Sequence, residues 1–176
     1  MKTLVVYYSR KGSNKFLAEK IAFDLSCEIE AIRPRINAFT LFLMNINPGI
    51  RPLRHKVEDY ERIILVGPIW VGRFVAPLKG FVKKYRKKIR QLVFVTCCGS
   101  TYEKKDEKFG HGLVFQEVKS LLNGKLALSQ AFPIVLVMPE DRKEDPNAVM
   151  SEHLSESNFK GEIASRYKDF LSELAP

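Results

Sequence analysis

The sequence predicts an α/β domain, a doubly wound three-layer sandwich on a five-stranded parallel sheet. Two observations carry that prediction. Short apolar runs alternate with amphipathic stretches at helical spacing along the chain, the pattern that builds parallel βαβ units with helices on both faces. The chain is 176 residues long, which suits one domain with a full core, so 1–176 is read as a single unit.

The elements follow in order. Leu4–Tyr8 is apolar and β-branched and reads as the first strand. Ser9–Asn14 is a polar, glycine-containing loop. Phe16, Leu17, Ile21 and Leu25 recur at helical spacing, so Lys15–Leu25 reads as a helix with Ser13 or Asn14 as its N-cap. Cys27–Ile32 alternates acidic and apolar residues as a half-buried strand does. Ile63–Val66 and Leu92–Val95 read as buried strands and Ile134–Met138 as the fifth. Pro77–Arg90 reads as a helix with Leu78, Phe81, Val82 and Tyr85 on one face, and Gly112–Leu122 and Phe159–Leu174 as two more. Pro139–Ser157 is polar, acidic and proline-containing and reads as a loop. Arg33–Lys56 is long for a connection; it mixes Phe39, Leu41, Phe42, Leu43, Met44 and Ile46 with Arg33, Arg35, Arg51, Arg54 and Lys56. It is read as a helix packed on the domain, with an apolar wall over the site, a homodimer contact or a peripheral membrane contact as alternatives.

Composition narrows the classes. Three cysteines, Cys27, Cys97 and Cys98, do not make a disulfide framework, and the expectation is a cytoplasmic protein. No apolar stretch has the length of a membrane span, and the N-terminal apolar run is too short for a signal peptide. The net charge is +9, unevenly placed: residues 1–100 carry 19 Lys/Arg against 7 Asp/Glu, residues 101–176 carry 10 against 13. A basic first half attracts anionic cofactors, acidic proteins, nucleic acid or anionic lipid.

Three loops could carry chemistry. Ser9-Arg10-Lys11-Gly12-Ser13-Asn14 opens a helix, where unpaired N–H groups and the positive dipole end suit a phosphate; alone it is equally a polar turn with a cap. Gly67-Pro68-Ile69-Trp70-Val71-Gly72 follows the third strand, at the sheet edge where α/β folds bind ligands. A tryptophan there can cover a flat conjugated ring. Thr96-Cys97-Cys98-Gly99-Ser100-Thr101-Tyr102 follows the fourth strand, with Tyr102 as a candidate second wall or a residue lying over apolar surface. Cys97 and Cys98 are read as free thiols, because a disulfide between neighbours strains the peptide joining them. His55, His111 and His153 have no metal-ligand spacing and are read as solvated. No Gly-x-Ser-x-Gly elbow occurs.

Taken together, Ser-x-x-Gly-Ser-Asn before a helix and Pro-Ile-Trp-Val-Gly-x4-Pro-Leu after a strand resemble the flavodoxin family. The resemblance runs from Leu4 to about Ser100. It implies a flavodoxin-like sheet of order 2-1-3-4-5 and FMN as cofactor. Carried over by position, Ser9, Arg10, Lys11, Gly12, Ser13 and Asn14 would surround the phosphate. Pro68, Ile69, Trp70, Val71 and Gly72 would line one side of the flavin, and Thr96, Cys97, Cys98 and Gly99 the other. The family usually has Thr-Gly-Asn-Thr where this chain has Lys11-Gly12-Ser13-Asn14. The implied role is electron transfer to a partner protein, or a small flavin-dependent oxidoreductase acting on a quinone or similar acceptor; a flavodoxin-type protoporphyrinogen oxidase is a narrower variant. No catalytic side chain and no metal site is singled out. The alternative is a flavin-free binding or scaffold module of the same fold.

The family's electron carriers tend to be acidic, and this chain is basic. One cation about 8 Å from a reduced flavin contributes roughly 2 kcal/mol at an effective dielectric of about 20, on the order of 90 mV for a one-electron couple. Arg10, Lys11 or Arg73 is therefore expected to ease reduction. Lys83–Arg90 holds six basic residues in eight, either a solvated helix end or a docking patch for an acidic partner or anionic lipid. Nucleic-acid binding is not expected there, for want of interleaved aromatics.

Overall fold

The computed structural model describes residues 1–37, 46 and 48–174. Strand β1 (Thr3–Tyr7) leads into helix α1 (Ser13–Asp24), and β2 (Glu28–Ala31) and β3 (Arg62–Val66) follow. A two-stranded hairpin, β4 (Ile69–Trp70) and β5 (Arg73–Phe74), comes next, before α2 (Ala76–Tyr85). The chain then continues through β6 (Gln91–Cys98), α3 (His111–Leu122), β7 (Leu126–Pro133), a short α4 (Pro146–Ser151) and α5 (Glu162–Leu174).

The main sheet is five-stranded in the order β2-β1-β3-β6-β7, and every pairing within it is parallel. With the hairpin set aside, this is the expected 2-1-3-4-5. Alternation along the strands makes two cores. Leu4, Val6, Ile63, Leu65, Leu92 and Phe94 pack against α2 and α3 through Leu78, Phe81, Val114 and Val118. Val5, Ile64, Val66, Val93 and Val95 pack against α1 and α5 through Leu17, Ile21, Ile163 and Phe170. The central strands are buried on both faces, which is why they read as unbroken apolar runs.

Several boundaries differ from the sequence expectation. The fifth strand is Leu126–Pro133, and Ile134–Val137 is a 3-10 turn. As an edge strand, β7 keeps Ser129 and Gln130 partly exposed, so it lacks an apolar signature. The apolar run after it reflects packing of Ile134 and Val135 rather than sheet pairing. Helix α2 stops at Tyr85: the N–H groups of Lys88 and Ile89 both turn back onto the Tyr85 carbonyl, which brings Ile89 into the core. The stretch read as the loop Pro139–Ser157 contains α4. Its start was encoded as Asp145-Pro146: the Asp145 carboxylate accepts from the Asn147 N–H at 2.9 Å, with proline in the first turn.

His55 and His111 are not solvated. The His55 ring lies 2.7 Å from Glu30 and 3.3 Å from Glu28. His111 is half-buried against Phe115, and burial lowers its pKa. Of the insert 33–56, the expectations resting on Phe39–Met44 fall on residues outside those described. Its described ends meet in a Pro34–Ile50 bridge, and Ile50 enters the core.

Candidate functional site

The phosphate-type loop begins where β1 ends. Gly12 takes φ 106°, a conformation closed to side-chain-bearing residues, and nothing lies within 4 Å of the position a Cβ would occupy. Gly12 itself is the N-cap of α1, in place of Ser13 or Asn14, and no side chain caps this helix. The physical reason is that the loop's side chains are engaged elsewhere. The Ser9 hydroxyl accepts from the Gly12 N–H at 3.1 Å. The Ser13 hydroxyl accepts from the Leu154 N–H at 3.1 Å. Asn14 is buried and clasps β6: its amide NH₂ donates to the Cys97 carbonyl at 3.2 Å and its oxygen accepts from the Cys97 N–H at 2.8 Å. The first bond closing α1 runs from the Phe16 N–H to the Gly12 carbonyl. The N–H groups of residues 13–15 therefore point out of the helix without intrahelical acceptors, as an anion site requires.

The tryptophan motif forms the hairpin. β4 and β5 pair antiparallel, Trp70 opposite Arg73, across a two-residue turn with Val71 at φ 48° and Gly72 at φ 65°. Positive φ at both central positions is the type I′ geometry that matches strand twist. Glycine is required at position 72, since a Cβ there would sit 2.5 Å from the Lys108 carbonyl. Valine is a costly choice at position 71, because a β-branched residue resists positive φ; its side chain is nevertheless exposed at the rim. Gly67 and Pro68 are buried beneath the hairpin, and Leu78 fills the space a Cβ on Gly67 would need. Trp70 is half-buried. The Tyr8 ring meets it edge-on at 6.3 Å, and the Arg10 guanidinium lies 5.7 Å from its ring centre. The first two motifs are thus brought together at the C-terminal edge of β1 and β3.

The third motif is only partly at that edge. Thr96, Cys97 and Cys98 belong to β6 rather than following it. Thr96 is fully buried, with its hydroxyl lacking a hydrogen-bond partner, and Cys97 is nearly so. Cys98 and Gly99 are what reach the edge. All three cysteines are free thiols. Burial pushes the Cys97 thiol up and the Cys98 thiol up to about 12, so neither is a thiolate at neutral pH. Beyond Gly99 the chain folds back toward Gly72 through Lys108 and Phe109. A cavity of about 380 Å³ there is bounded by Ser100, Tyr102, Lys105, Asp106 and Phe109. A second, of about 710 Å³, runs from Tyr102 and Glu103 past Phe115 and Lys119 to Ser129 on β7.

One contributor had little signal in the sequence. The segment around α4 clamps the phosphate-type loop: the Lys11 ammonium donates to the Met150 carbonyl, Leu154 holds Ser13, and Val149 lies against Gly99. The basic run 83–90 lies at the opposite, N-terminal edge of the sheet, where it leads into Gln91 at the start of β6, and so does not shape the site. Among the described residues no cluster of metal-ligating side chains occurs, and no helix is long and apolar enough to cross a membrane.

Solved structures similar to this one include flavoproteins. A flavoprotein of Lactobacillus acidophilus NCFM, solved in complex with FMN, is similar with a TM-score of 0.60 and 18% identity over 74% of this chain and 92% of that one. A protein of Bacteroides eggerthii DSM 20697 described as a flavoprotein gives 0.66 and 14% over 99% of each chain. A flavodoxin of Streptococcus pneumonia TIGR4 gives 0.52 and 11% over 99% and 97%. At these identities the likeness is one of fold. No curated protein matches the chain in sequence. The family model for the flavodoxin domain matches residues 4–133, a span that runs from Leu4 in β1 to the end of β7 and includes all three candidate loops, and the chain belongs to the flavodoxin domain family.

Proposed function

We propose that the chain is an FMN-binding redox protein. The observation that carries this reading is the placement of Trp70. It stands on a strained hairpin at the sheet edge, beside the Arg10 end of a loop that opens a helix with free N–H groups. A ligand with a phosphate at one end and a flat ring at the other fits that pair of features. The relatives support it, since one of them was solved with FMN.

When bound, FMN supplies reversible uptake and release of electrons, so no nucleophile or general base is required of the protein. The chain's own groups position and tune. The N–H groups of residues 13–15 would hold the phosphate, and the clasp between Asn14 and Cys97 fixes that helix end against β6. Trp70, braced by Tyr8, would cover one ring face and exclude water. Val71, held at positive φ and exposed, would border the ring edge; strain retained at such a position fits a functional contact. Arg10 places a permanent cation beside the ring site, which favours added negative charge.

The test is spectroscopic. Protein purified in the presence of FMN, then desalted, should keep flavin absorbance bands in a 1:1 ratio. A protein that stays colourless after exposure to excess FMN is a flavin-free module and overturns the proposal. Bleaching by a nicotinamide donor alone identifies an oxidoreductase; reduction only through a partner protein identifies a carrier.

A further inference from the structure

The structure joins two basic segments that are about thirty residues apart in the chain. The Leu53 N–H donates to the Tyr85 hydroxyl at 3.2 Å, which brings the segment after Arg51 against the end of α2; Arg51 itself donates its N–H to the Arg33 carbonyl, beyond the C-terminal end of β2. Arg54 and Lys56 are exposed on one side of this junction, and Lys83, Lys84, Arg86, Lys87, Lys88 and Arg90 on the other. Few carboxylates answer them. Glu58 takes Lys88 at 2.9 Å, and Glu30 is occupied by the N–H groups of Arg54 and His55 and by the His55 ring. Lys56 also acts on Glu58, and among the described residues Lys83, Arg86 and Lys87 are in no salt bridge.

We propose that this face docks on anionic lipid headgroups. Its chemistry separates that occupant from a protein partner. Protein interfaces need a desolvated apolar or aromatic centre, and neither basic segment exposes a large apolar side chain. Attraction to an anionic bilayer needs only flexible cations within a Debye length of the surface. Tyr85, the aromatic within the basic run, is buried, so it offers no exposed ring on which bases could stack. The patch is at the N-terminal edge of the sheet, so docking leaves the Trp70 edge open to solution. The inference does not depend on FMN.

The experiment is co-sedimentation of the full chain with vesicles of about 30% phosphatidylglycerol in phosphatidylcholine, against pure phosphatidylcholine. Each Lys or Arg near such a surface contributes on the order of a fivefold gain in partitioning. The variant K83Q/K84Q/R86Q/K87Q should therefore lose about 100-fold or more. The variant K119Q/K143Q/K160Q/K168Q, which removes the same charge elsewhere, should bind within a few-fold of the parent. Binding should vanish between about 0.05 and 0.5 M salt. Equal partitioning to both vesicle types overturns the proposal, as does an equal loss in both variants. Tighter, patch-dependent binding to polyuridylate than to the anionic vesicles overturns it in favour of RNA. Circular dichroism of both variants confirms that they fold.

Discussion

Replacing Asn14 with alanine should both destabilise the domain and loosen the phosphate-type loop. Strand β3 ends its pairing with β6 at Val66 opposite Val95. Past that point the side of β6 facing β3 has no neighbouring strand, and the Asn14 amide takes its place, giving the Cys97 N–H an acceptor at 2.8 Å and the Cys97 carbonyl a donor at 3.2 Å. Asn14 is 5% exposed, so water cannot readily substitute. Leaving a buried polar group unsatisfied costs about 1–3 kcal/mol; for the pair, relaxation included, about 2–4 kcal/mol is expected. In a domain of this size each kcal/mol lowers Tm by about 2–4 °C, so Asn14→Ala should melt about 5–15 °C lower by circular dichroism. Asn14→Asp tests polarity at constant size. It keeps the acceptor but turns a carboxylate oxygen toward the Cys97 carbonyl, and should cost at least as much. A fall of less than about 2 °C in both variants would refute the clasp.

Other expectations follow from single contacts. Gly72→Ala places a Cβ 2.5 Å from the Lys108 carbonyl at positive φ; it should lower stability by about 1–3 kcal/mol and speed proteolysis at Lys104–Lys108, and an unchanged digestion pattern would count against the packing of that loop on the hairpin. Arg10→Gln in FMN-loaded protein should lower the midpoint potential by about 45–90 mV, taking about 8 Å and an effective dielectric of about 20–40 for this exposed cation. The shift should shrink in high salt, and an unaltered potential in low salt would remove Arg10 from the ring site. Burial alone would raise the Glu30 carboxyl, but the N–H groups of Arg54 and His55 and the His55 ring outweigh it and hold it below its ordinary 4.5. Its contribution to stability is thus fully present above about pH 4.5 and lost as the pH falls through the lower folded value. Glu30→Gln should be destabilising in urea titrations at pH 7, with the gap to the parent closing toward pH 3; a gap that widens in acid would contradict the assignment.

The legible parts of the fold were those where burial writes directly into composition. β1, β3 and β6 are covered on both faces and appear as apolar runs, and the Pro68–Gly72 stretch announces a turn at a strand end. β7 was misplaced because an edge strand needs no apolar signature, while the buried run just after it does. The loop between β1 and α1 lies where the sequence places it, but Ser9, Ser13 and Asn14, expected around a phosphate, make hydrogen bonds within the protein. Nothing in the sequence separates an asparagine that faces a ligand from one that clasps a neighbouring strand. The α4 clamp was hidden for a related reason: Lys11 is held by the Met150 carbonyl, and a backbone acceptor leaves no trace in residue type. The joining of Leu53 to Tyr85 at the end of α2 needed the three-dimensional path of the chain.

The central claim is that Trp70 and the N-terminal end of α1 together form an FMN site. Titrating FMN into the flavin-free protein, with flavin and tryptophan fluorescence followed together, tests it most directly. The account predicts saturation at one FMN per chain, with both emissions quenched because Trp70 is the only tryptophan in the sequence and would lie against the ring. Affinity should fall by about tenfold or more in Trp70→Ala. No saturable quenching at high micromolar FMN, or equal affinity in Trp70→Ala, would contradict it.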